Sequence, residues 1–311
     1  MASNETSPRW QTLTAFAIIY LVWGSTFLAI RVGVREVPPF LFAAMRFVAA
    51  GLALCGWTLA RHERMPSRRQ WGSAFVLAFL IFVLDYGVLY WAEQRVPSGL
   101  TAVMMATIPA FMSLSEVVFL GTQKFTARLA GTLSVGLAGV TVLVSHSLHL
   151  GGAPIDGKGA AALLVASLSW SIASAFSRKL PLPSSKTVSS GAQMLAGGLL
   201  LSVAATARGE LASFHPVAVS RAAWFALLYL IVAGSIVAFT AYVWLLQRES
   251  PTKVGAYAYV NPVVAVLLGY LFAGEPLGVR TLLGSLLVLV SVVLLTTIPA
   301  RQRVSAATVE A

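Results

Sequence analysis

Ten apolar runs, each long enough to cross a lipid bilayer as a helix, dominate this 311-residue sequence. About 20 residues are needed to span the hydrocarbon core of a bilayer. Runs of that order lie at 13–33, 40–60, 72–92, 98–120, 128–146, 159–177, 187–206, 222–245, 254–272 and 280–298. Closed β-barrels are the other structures that span membranes, but their strands alternate in polarity over about 10 residues. The sequence therefore predicts an all-α, polytopic membrane protein with ten transmembrane helices.

The composition fits a chain that is solvated mainly by lipid. Hydrophobic residues make up 58% of the chain and charged residues only 11%, whereas a soluble domain carries roughly 25% charged residues. The formal net charge is +11, which also occurs in nucleic-acid-binding proteins. Those proteins cluster Lys and Arg on one face or motif, but here these residues occupy the short gaps between apolar runs. We therefore expect membrane lipid as a partner and no nucleic acid.

The distribution of Lys and Arg between the loops predicts the orientation, because cytoplasmic loops carry the excess of these residues. The side that holds both termini has 14 of them, the opposite side has 7, and Arg46 lies inside a helix. The first apolar run is longer than a signal-peptide core and lacks a clear cleavage site. We expect a multi-pass protein of the cytoplasmic (inner) membrane, with cytoplasmic tails at 1–12 and 299–311.

An internal repeat relates the two halves of the chain. Four pairs of residues are separated by 147 positions, and four later pairs are separated by 153. The first set is Trp23 and Trp170, Arg31 and Arg178, Arg46 and Gln193, and Gly51 and Gly198. The second set is Gln94 and Gln247, Pro109 and Pro262, Gly121 and Gly274, and Gly131 and Gly284. One small insertion between the two blocks explains the change of offset.

Each repeat unit holds five helices, and because this number is odd the second unit enters the membrane from the opposite side. Inverted repeats with a substrate site near the midplane are a recurring architecture of carriers. We predict a first five-helix unit at 13–149, a connecting loop at 150–158 and a second unit at 159–298. The repeat favours a transporter over other kinds of membrane protein.

Several motifs resemble those of the EamA-type family of the drug/metabolite transporter superfamily. They are Trp23-Gly-Ser-Thr-Phe-Leu-Ala-Ile-Arg31, Pro38-Pro39-Phe40 with Arg46-Phe47, Tyr259-Val-Asn-Pro262, and Ala273-Gly274-Glu275-Pro276. The resemblance covers residues 13–298 and implies ten helices in a five-plus-five inverted repeat. It also implies, for most members, export of amino acids, other metabolites or drugs. One departure is that Gly121-Thr122 stands where the second half has Gly274-Glu275, so the resemblance implies no role for an acid there.

Arg46 and Asp85 are ionisable residues inside predicted spans, where such groups are costly and face a cavity or a partner. Arg46 either borders a central cavity and attracts an anionic group, or has a structural role, in a fixed pair with Asp85 or Glu93 or in bonds to loosened backbone carbonyls. Asp85 either couples transport to a proton or ion, or only neutralises Arg46. Their repeat counterparts are uncharged: Gln193 matches Arg46 and is itself a cavity candidate, and Ala238 matches Asp85.

Trp23 and Trp170 occupy equivalent places on the inverted halves and would approach the centre from opposite sides. Aromatic side chains offer a carrier a large apolar contact and an attraction for cations. The alternative is that they pack helices together or form an interface belt. Weaker candidates of the same kind are Tyr86, Tyr90, Trp91, Tyr257 and Tyr259.

Pro109 and Pro262 lie at equivalent places inside predicted spans, and Asn261 precedes Pro262. Proline removes a backbone donor and can kink a helix. The freed carbonyls at the two kinks would line a path or act as hinges, or neighbouring helices would seal them. Asn261 adds a polar side chain at the second kink and is a candidate contact for substrate.

These features predict a secondary transporter that exports small metabolites, including amino-acid-like or amphipathic compounds and drugs, by alternating access. The alternatives are a passive facilitator or channel and, less favoured, a membrane-embedded enzyme. The four histidines are scattered and no nucleophile motif is present, so we expect no catalytic residue, no metal site and no cofactor. A homodimer is left open, as are the substrate and the coupling ion.

Overall fold

A computed structural model gives the arrangement of the chain and describes residues 8–95, 101, 104–149, 156–273 and 278–297. Within these ranges the regular secondary structure is helical, so the predicted all-α class is confirmed. Several predictions lie wholly or largely outside the described residues. They concern the two terminal tails, the connecting loop at 150–158 and the motif Gly274-Glu275-Pro276.

Ten helices stand where the apolar runs predict spans, within the part of the chain that is described. They are α1 Arg9–Val34, α2 Pro39–Ala60, α3 Arg68–Ala92, α4 Ile108–Leu120, α5 Ala127–His149, α6 Gly157–Phe176, α7 Lys186–Ala207, α8 Arg221–Leu246, α9 Tyr257–Ala273 and α10 Val279–Thr296. A helical turn, Pro251–Gly255, precedes α9. Six of the helices, namely α1, α2, α3, α6, α7 and α8, are long and apolar enough to cross a membrane. The described parts of α4, α5 and α10 hold shorter apolar stretches.

The helix boundaries reproduce the sequence repeat. Both ends of α2 and α7 are separated by 147 positions, and α3 and α8 begin 153 positions apart. Ser67 caps α3 and its counterpart Ser220 caps α8, each by accepting a backbone N–H in the first turn, as N-cap serines do. The loop at 208–220 is longer than the equivalent loop at 61–67, which is the insertion that the change of offset predicts.

The contacts between helices are paired in the same way. Helix α1 packs against α8 and α9, and its counterpart α6 packs against α3 and α4. Helices α2 and α7 are counterparts that pack against each other, and so are α5 and α10. Exchanging the two halves therefore maps each of these contacts onto another of them. The packing supports the predicted five-plus-five repeat.

Two glycines set the close approach of α2 and α7. A Cβ atom at Gly51 would lie 2.5 Å from the backbone nitrogen of Leu195, and a Cβ atom at Gly198 would lie 2.5 Å from that of Val48. Leu195 and Val48 are themselves repeat counterparts. Small residues allow helix backbones to approach closely in membranes. The pseudo-twofold axis that relates the halves therefore passes near this crossing.

Two buried carboxylates serve helix ends. Glu210 accepts a hydrogen bond of 2.8 Å from the backbone N–H of Leu41, in the first turn of α2. Glu116 accepts from both the backbone N–H and the hydroxyl of Thr252, which begin the turn before α9. The first N–H groups of a helix have no partner within it, so these acids stabilise the fold and are not free to bind a solute.

Candidate functional site

Two π-helical segments interrupt the α-helices that contribute to the cavity walls. One runs over Phe79–Gly87 within α3 and the other over Leu230–Val237 within α8, at overlapping positions of the repeat. π-Helical insertions in α-helices are frequent at functional sites. Asp85 and Tyr86 lie in the first segment. Neither segment was predicted, because the apolar runs are continuous there and give no signal of a change in helical period.

Four aromatic side chains from four helices meet at the centre, and we call them the central aromatic cluster. They are Trp23 of α1, Trp170 of α6, Tyr242 of α8 and Tyr257 of α9. The ring centroids of Trp23 lie 5.5 Å from those of Trp170, 5.1 Å from Tyr242 and 4.7 Å from Tyr257. Such separations are those of attractive aromatic pairs. The two tryptophans that the repeat relates are therefore in direct contact.

Hydrogen bonds hold the cluster in place. The indole N–H of Trp23 donates to the carbonyl of Gly234 over 3.1 Å, in the π-helical segment of α8. The hydroxyls of Ser174 and Tyr242 are hydrogen-bonded to each other, which joins α6 to α8. Ser174 also donates to the carbonyl of Trp170. The orientation of the rings is thus fixed by polar contacts as well as by packing.

A small cavity lined by buried residues, which we call the chamber, adjoins one side of this cluster. Its volume is about 40 Å³, and a cavity needs on the order of 10–15 Å³ by this measure to hold a water molecule. It is lined by Trp23, Thr26, Phe27, Ile30, Asp85, Tyr86, Leu89, Met105, Ile108, Trp170, Tyr257, Ala258, Asn261 and Pro262. All of these residues are buried except Phe27, which is half-buried.

Two polar side chains in the chamber wall carry an oxygen without a partner. Asp85 is 2% exposed and Asn261 is 4% exposed. The Oδ1 atom of each accepts no hydrogen bond from any described residue. Buried polar atoms are nearly always hydrogen-bonded, so two such acceptors in the wall of one cavity indicate a place for a donor that comes from outside the chain.

A larger cavity, which we call the vestibule, lies on the other side of the cluster. Its volume is about 710 Å³, within the range of roughly 300–1,000 Å³ that is usual for small-molecule sites. Gln193, Ser174, Phe239 and Tyr242 contribute to its wall. Its rim contains the exposed residues Arg178, Ser184, Gln247 and Arg248. Tyr242 belongs both to the vestibule wall and to the central aromatic cluster, which separates the two cavities.

Arg46 is 1% exposed and contributes to neither cavity wall. Its Nε donates to the hydroxyl of Ser235 over 2.7 Å, and its Nη1 donates to that of Tyr90 over 2.8 Å. The rings of Phe47 and Tyr86 lie 4.6 and 5.1 Å from the guanidinium carbon. Within the described residues no ion pair joins Arg46 to an acid. Arg46 thus links α2, α3 and α8 through neutral partners.

The predicted candidates separate into those at the cavities and those elsewhere. The chamber wall contains Trp23, Asp85, Tyr86, Trp170, Asn261 and Pro262, and the vestibule wall contains Gln193. Tyr90 contacts Arg46, whereas Tyr259 packs in a separate apolar cluster and donates to the carbonyl of Leu133 over 2.9 Å.

The two prolines that the sequence predicts to kink helices differ in position. Pro262 lies inside α9. Pro109 lies in the first turn of α4, where a missing N–H breaks no helical hydrogen bond.

Tyr242 lines the vestibule and Thr26 lines the chamber, and the sequence singled out neither. Tyr242 has Leu89 as its repeat counterpart, and Thr26 has Ala173, so the repeat gave no signal for either residue. Tyr257 was only a weak candidate, yet its ring lies 4.7 Å from that of Trp23. Only the three-dimensional packing distinguishes these side chains from other polar residues in the apolar helices.

Glu93 is a further buried acid, and it follows the last residue of α3. It is 5% exposed and neither of its carboxylate oxygens has a hydrogen-bond partner among the described residues. Burial raises the pKa of Glu93 to about 7, and the nearby charge of Arg31 opposes this shift. Glu93 does not line the chamber or the vestibule.

Comparisons with known proteins bear on the whole chain. The EamA-like transporter family matches residues 11–145 and 157–297. The uncharacterized inner membrane transporter YedA of Escherichia coli (strain K12) is 37% identical over 284 residues, with 91% of this chain and 89% of the relative covered. The uncharacterized transporter YoaV of Bacillus subtilis (strain 168) is 26% identical over 278 residues, with coverage of 87% and 91%. One crystal structure has a TM-score of 0.74 at 22% identity and covers 93% of this chain and 97% of its own.

Proposed function

Since this chain belongs to the EamA-like transporter family, we propose that it exports small metabolites across the cytoplasmic membrane as a secondary transporter. Amino-acid-like and amphipathic compounds, including drugs, are the proposed solutes. The cycle is alternating access, in which a central site is open to one side of the membrane at a time. No catalytic step is part of the proposal.

One observation carries this proposal: the central aromatic cluster separates a vestibule with an exposed rim from a chamber of buried residues. Trp23 and Trp170 line the chamber and Tyr242 lines the vestibule, so we expect a solute to pass from one cavity to the other when these rings move apart. Because the halves are inverted repeats, an exchange of their conformations would close the vestibule and open the opposite side. The vestibule and chamber are thus consistent with one of two states of a carrier.

The proposed orientation of the chain in the membrane rests on the distribution of charge. The vestibule rim includes Arg178 and Arg248, which belong to the side with the excess of Lys and Arg. Cytoplasmic loops carry such an excess, so we place the vestibule and both termini in the cytoplasm. An inner-membrane location also agrees with the name of the Escherichia coli relative.

The proposed substrate contacts are the cavity-wall residues that the sequence also singled out. In the chamber they are Trp23, Asp85, Tyr86, Trp170 and Asn261, and in the vestibule Gln193 is one. Arg46 and Tyr90 are proposed as positioning residues, because they bond to each other and lie outside both walls. Pro262 is proposed as the hinge, since it lies inside α9 and lines the chamber.

The experiment that tests this proposal is flux in proteoliposomes containing the purified chain. Radiolabelled amino acids, nucleosides and cationic drugs are loaded one at a time, and efflux is measured with and without unlabelled solute outside. A carrier gives saturable efflux and counterflow for at least one class. Flux that does not saturate and shows no counterflow would identify a channel, and empty liposomes are the control for leakage.

A further inference from the structure

We propose that the chamber binds a protonated amine, so that the solutes carried by this protein are compounds with an ammonium group. This inference rests on the proposed function and gives its substrate class. It assigns the ammonium to the oxygens of Asp85 and Asn261, beneath the rings of Trp23, Tyr86 and Trp170. These five residues come from four helices, α1, α3, α6 and α9, and the π-helical segment of α3 supplies both Asp85 and Tyr86.

The two free oxygens are complementary to an ammonium group. Asp85 Oδ1 and Asn261 Oδ1 are buried acceptors without a donor among the described residues, and an ammonium group offers three donors and no acceptor. A hydrogen bond between an ammonium and a carboxylate is roughly twice as strong as one between neutral groups. An occupant with this chemistry would bring donors, and no acceptor, to the wall that contains both orphaned oxygens.

The aromatic side chains favour an organic cation over other occupants. The rings of Trp23, Tyr86, Trp170 and Tyr257 all contribute to the chamber wall. The face of an aromatic ring attracts an ammonium group within about 6 Å. Trp170 lies 5.6 Å from Tyr86 and 5.5 Å from Trp23 between centroids, so a guest in the chamber would contact several rings. A carboxylate beside aromatic faces is a familiar combination for a cationic head group.

Metal ions and anions fit the chamber less well. Hard metal cations such as Ca²⁺ take six or more oxygen ligands, and the chamber wall offers few polar side chains besides Asp85, Asn261 and Thr26. An anion would be repelled by Asp85. The guanidinium of Arg46 does not compensate for this repulsion, because it is bonded to Ser235 and Tyr90 and lies outside the chamber wall.

The chamber volume limits what it holds in this state. About 40 Å³ accommodates a head group of a few heavy atoms but not a whole metabolite. The remainder of a larger solute would need the central aromatic cluster to open toward the vestibule, as the proposed transport cycle requires. Methylammonium is therefore a suitable probe, because it is little more than the head group itself.

The test is calorimetric titration of the purified full chain in lipid nanodiscs with methylammonium, methanol and Na⁺. Methanol is a neutral control of the same size, and Na⁺ reports a site for any small cation. We expect methylammonium to bind at least about tenfold more tightly than either control. Asp85→Asn should weaken methylammonium binding at least about tenfold. Glu93→Gln removes another buried acid outside the chamber and should leave the affinity within about twofold.

Several outcomes would overturn the inference. Methanol or Na⁺ binding as tightly as methylammonium would do so, and so would an unchanged affinity in Asp85→Asn. If Asp85→Asn does not fold, Asn261→Leu provides the same test, since it removes the second oxygen at similar volume. Flux of amine-free solutes that is equal in wild type and Asp85→Asn would leave the transporter standing but not its amine specificity. Amine binding without flux of any solute would support the amine site and contradict the proposed transport.

Discussion

The two halves of this protein follow the same helical plan, but equivalent positions near the centre carry different chemistry. In the first half Arg46 and Asp85 are buried ionisable residues, whereas their counterparts Gln193 and Ala238 are not ionisable. Arg46 donates across to Ser235 of the second half, whereas Gln193 donates to Ser189 on its own helix. In the proposed cycle the backbone symmetry would supply two related states, and the asymmetric side chains would give those states different electrostatics.

The walls of the two cavities differ in the same manner. Tyr242 is hydrogen-bonded to Ser174 beside the vestibule. The counterparts of these residues, Leu89 and Phe27, are apolar and line the chamber. An exchange of conformations between the halves would therefore break a polar contact on one side and form an apolar contact on the other. The two end states of the cycle are not expected to be equal in energy.

Moving the acid to the other half should have the largest effect on stability. Ala238 is fully buried and lines neither cavity, so Ala238→Asp would bury a charge without a partner or space for a guest. Uncompensated buried charges cost about 3–5 kcal/mol. We expect a large loss of melting temperature in detergent. Asp85→Ala, which removes an unpartnered carboxylate, should change it little, and equal losses in the two variants would contradict the contrast between the halves.

Replacing Arg46 by glutamine, the residue at its repeat counterpart, should have the next largest effect on stability. Arg46→Gln removes donors from the hydroxyls of Ser235 and Tyr90, and hydrogen bonds to charged groups contribute about 1.5–3 kcal/mol each. We expect the melting temperature to fall clearly. Gln193→Leu, which removes one bond to Ser189, should cost only about 1 kcal/mol. A stable Arg46→Gln protein that has lost flux would instead indicate that Arg46 binds an anionic group of the solute.

The glycine crossing is the place where the halves should behave alike. Gly51→Ala and Gly198→Ala each place a methyl group 2.5 Å from a backbone nitrogen of the opposite helix, which cannot move aside by a change of rotamer. Overpacking of this kind costs about 1–3 kcal/mol, so both variants should melt earlier by similar amounts. Gly56→Ala on the same helix α2 has open space around it and should not be destabilised.

The polar contact beside the vestibule should have the smallest effect on stability but a visible effect on rate. Tyr242→Phe removes the hydrogen bond to Ser174 and keeps the ring in the central aromatic cluster. The loss in stability should be about 1 kcal/mol, measured by thermal melting. Because the bond favours one of the two states, the flux rate in proteoliposomes should change, and Ser174→Ala should change it in the same direction. Changes of the flux rate in opposite directions would show that the two residues do not act through their shared hydrogen bond.

The sequence predicted the elements of the fold that depend on long patterns. Apolar runs located the helices, and the two offsets predicted a fixed spacing between equivalent helices, which α2 and α7 show at both ends and α3 and α8 show at their starts. It also predicted Trp23, Trp170 and Asp85 among the central candidates. It missed Tyr242, since Leu89 is its counterpart. It named Tyr259 as a cavity candidate, whereas the structure shows that its hydroxyl donates to the carbonyl of Leu133. Successive side chains on a helix point about 100° apart, so an apolar run does not tell which of its polar residues faces a cavity.

The most direct test of the central claim is the reactivity of single cysteines on the two sides of the aromatic cluster. Cys55 is the only cysteine of the chain and is buried, so a Cys55→Ser background suffices. In it, Ser177→Cys reports on the vestibule and Thr26→Cys on the chamber. A membrane-impermeant maleimide is added from each side, with and without a transported solute.

Alternating access predicts that without solute the Ser177→Cys protein reacts from one side only and the Thr26→Cys protein does not react. Solute should slow labelling at position 177 and permit labelling at position 26 from the opposite side. Simultaneous labelling of both positions, each from its own side and with or without solute, would contradict the account and indicate a continuous pore.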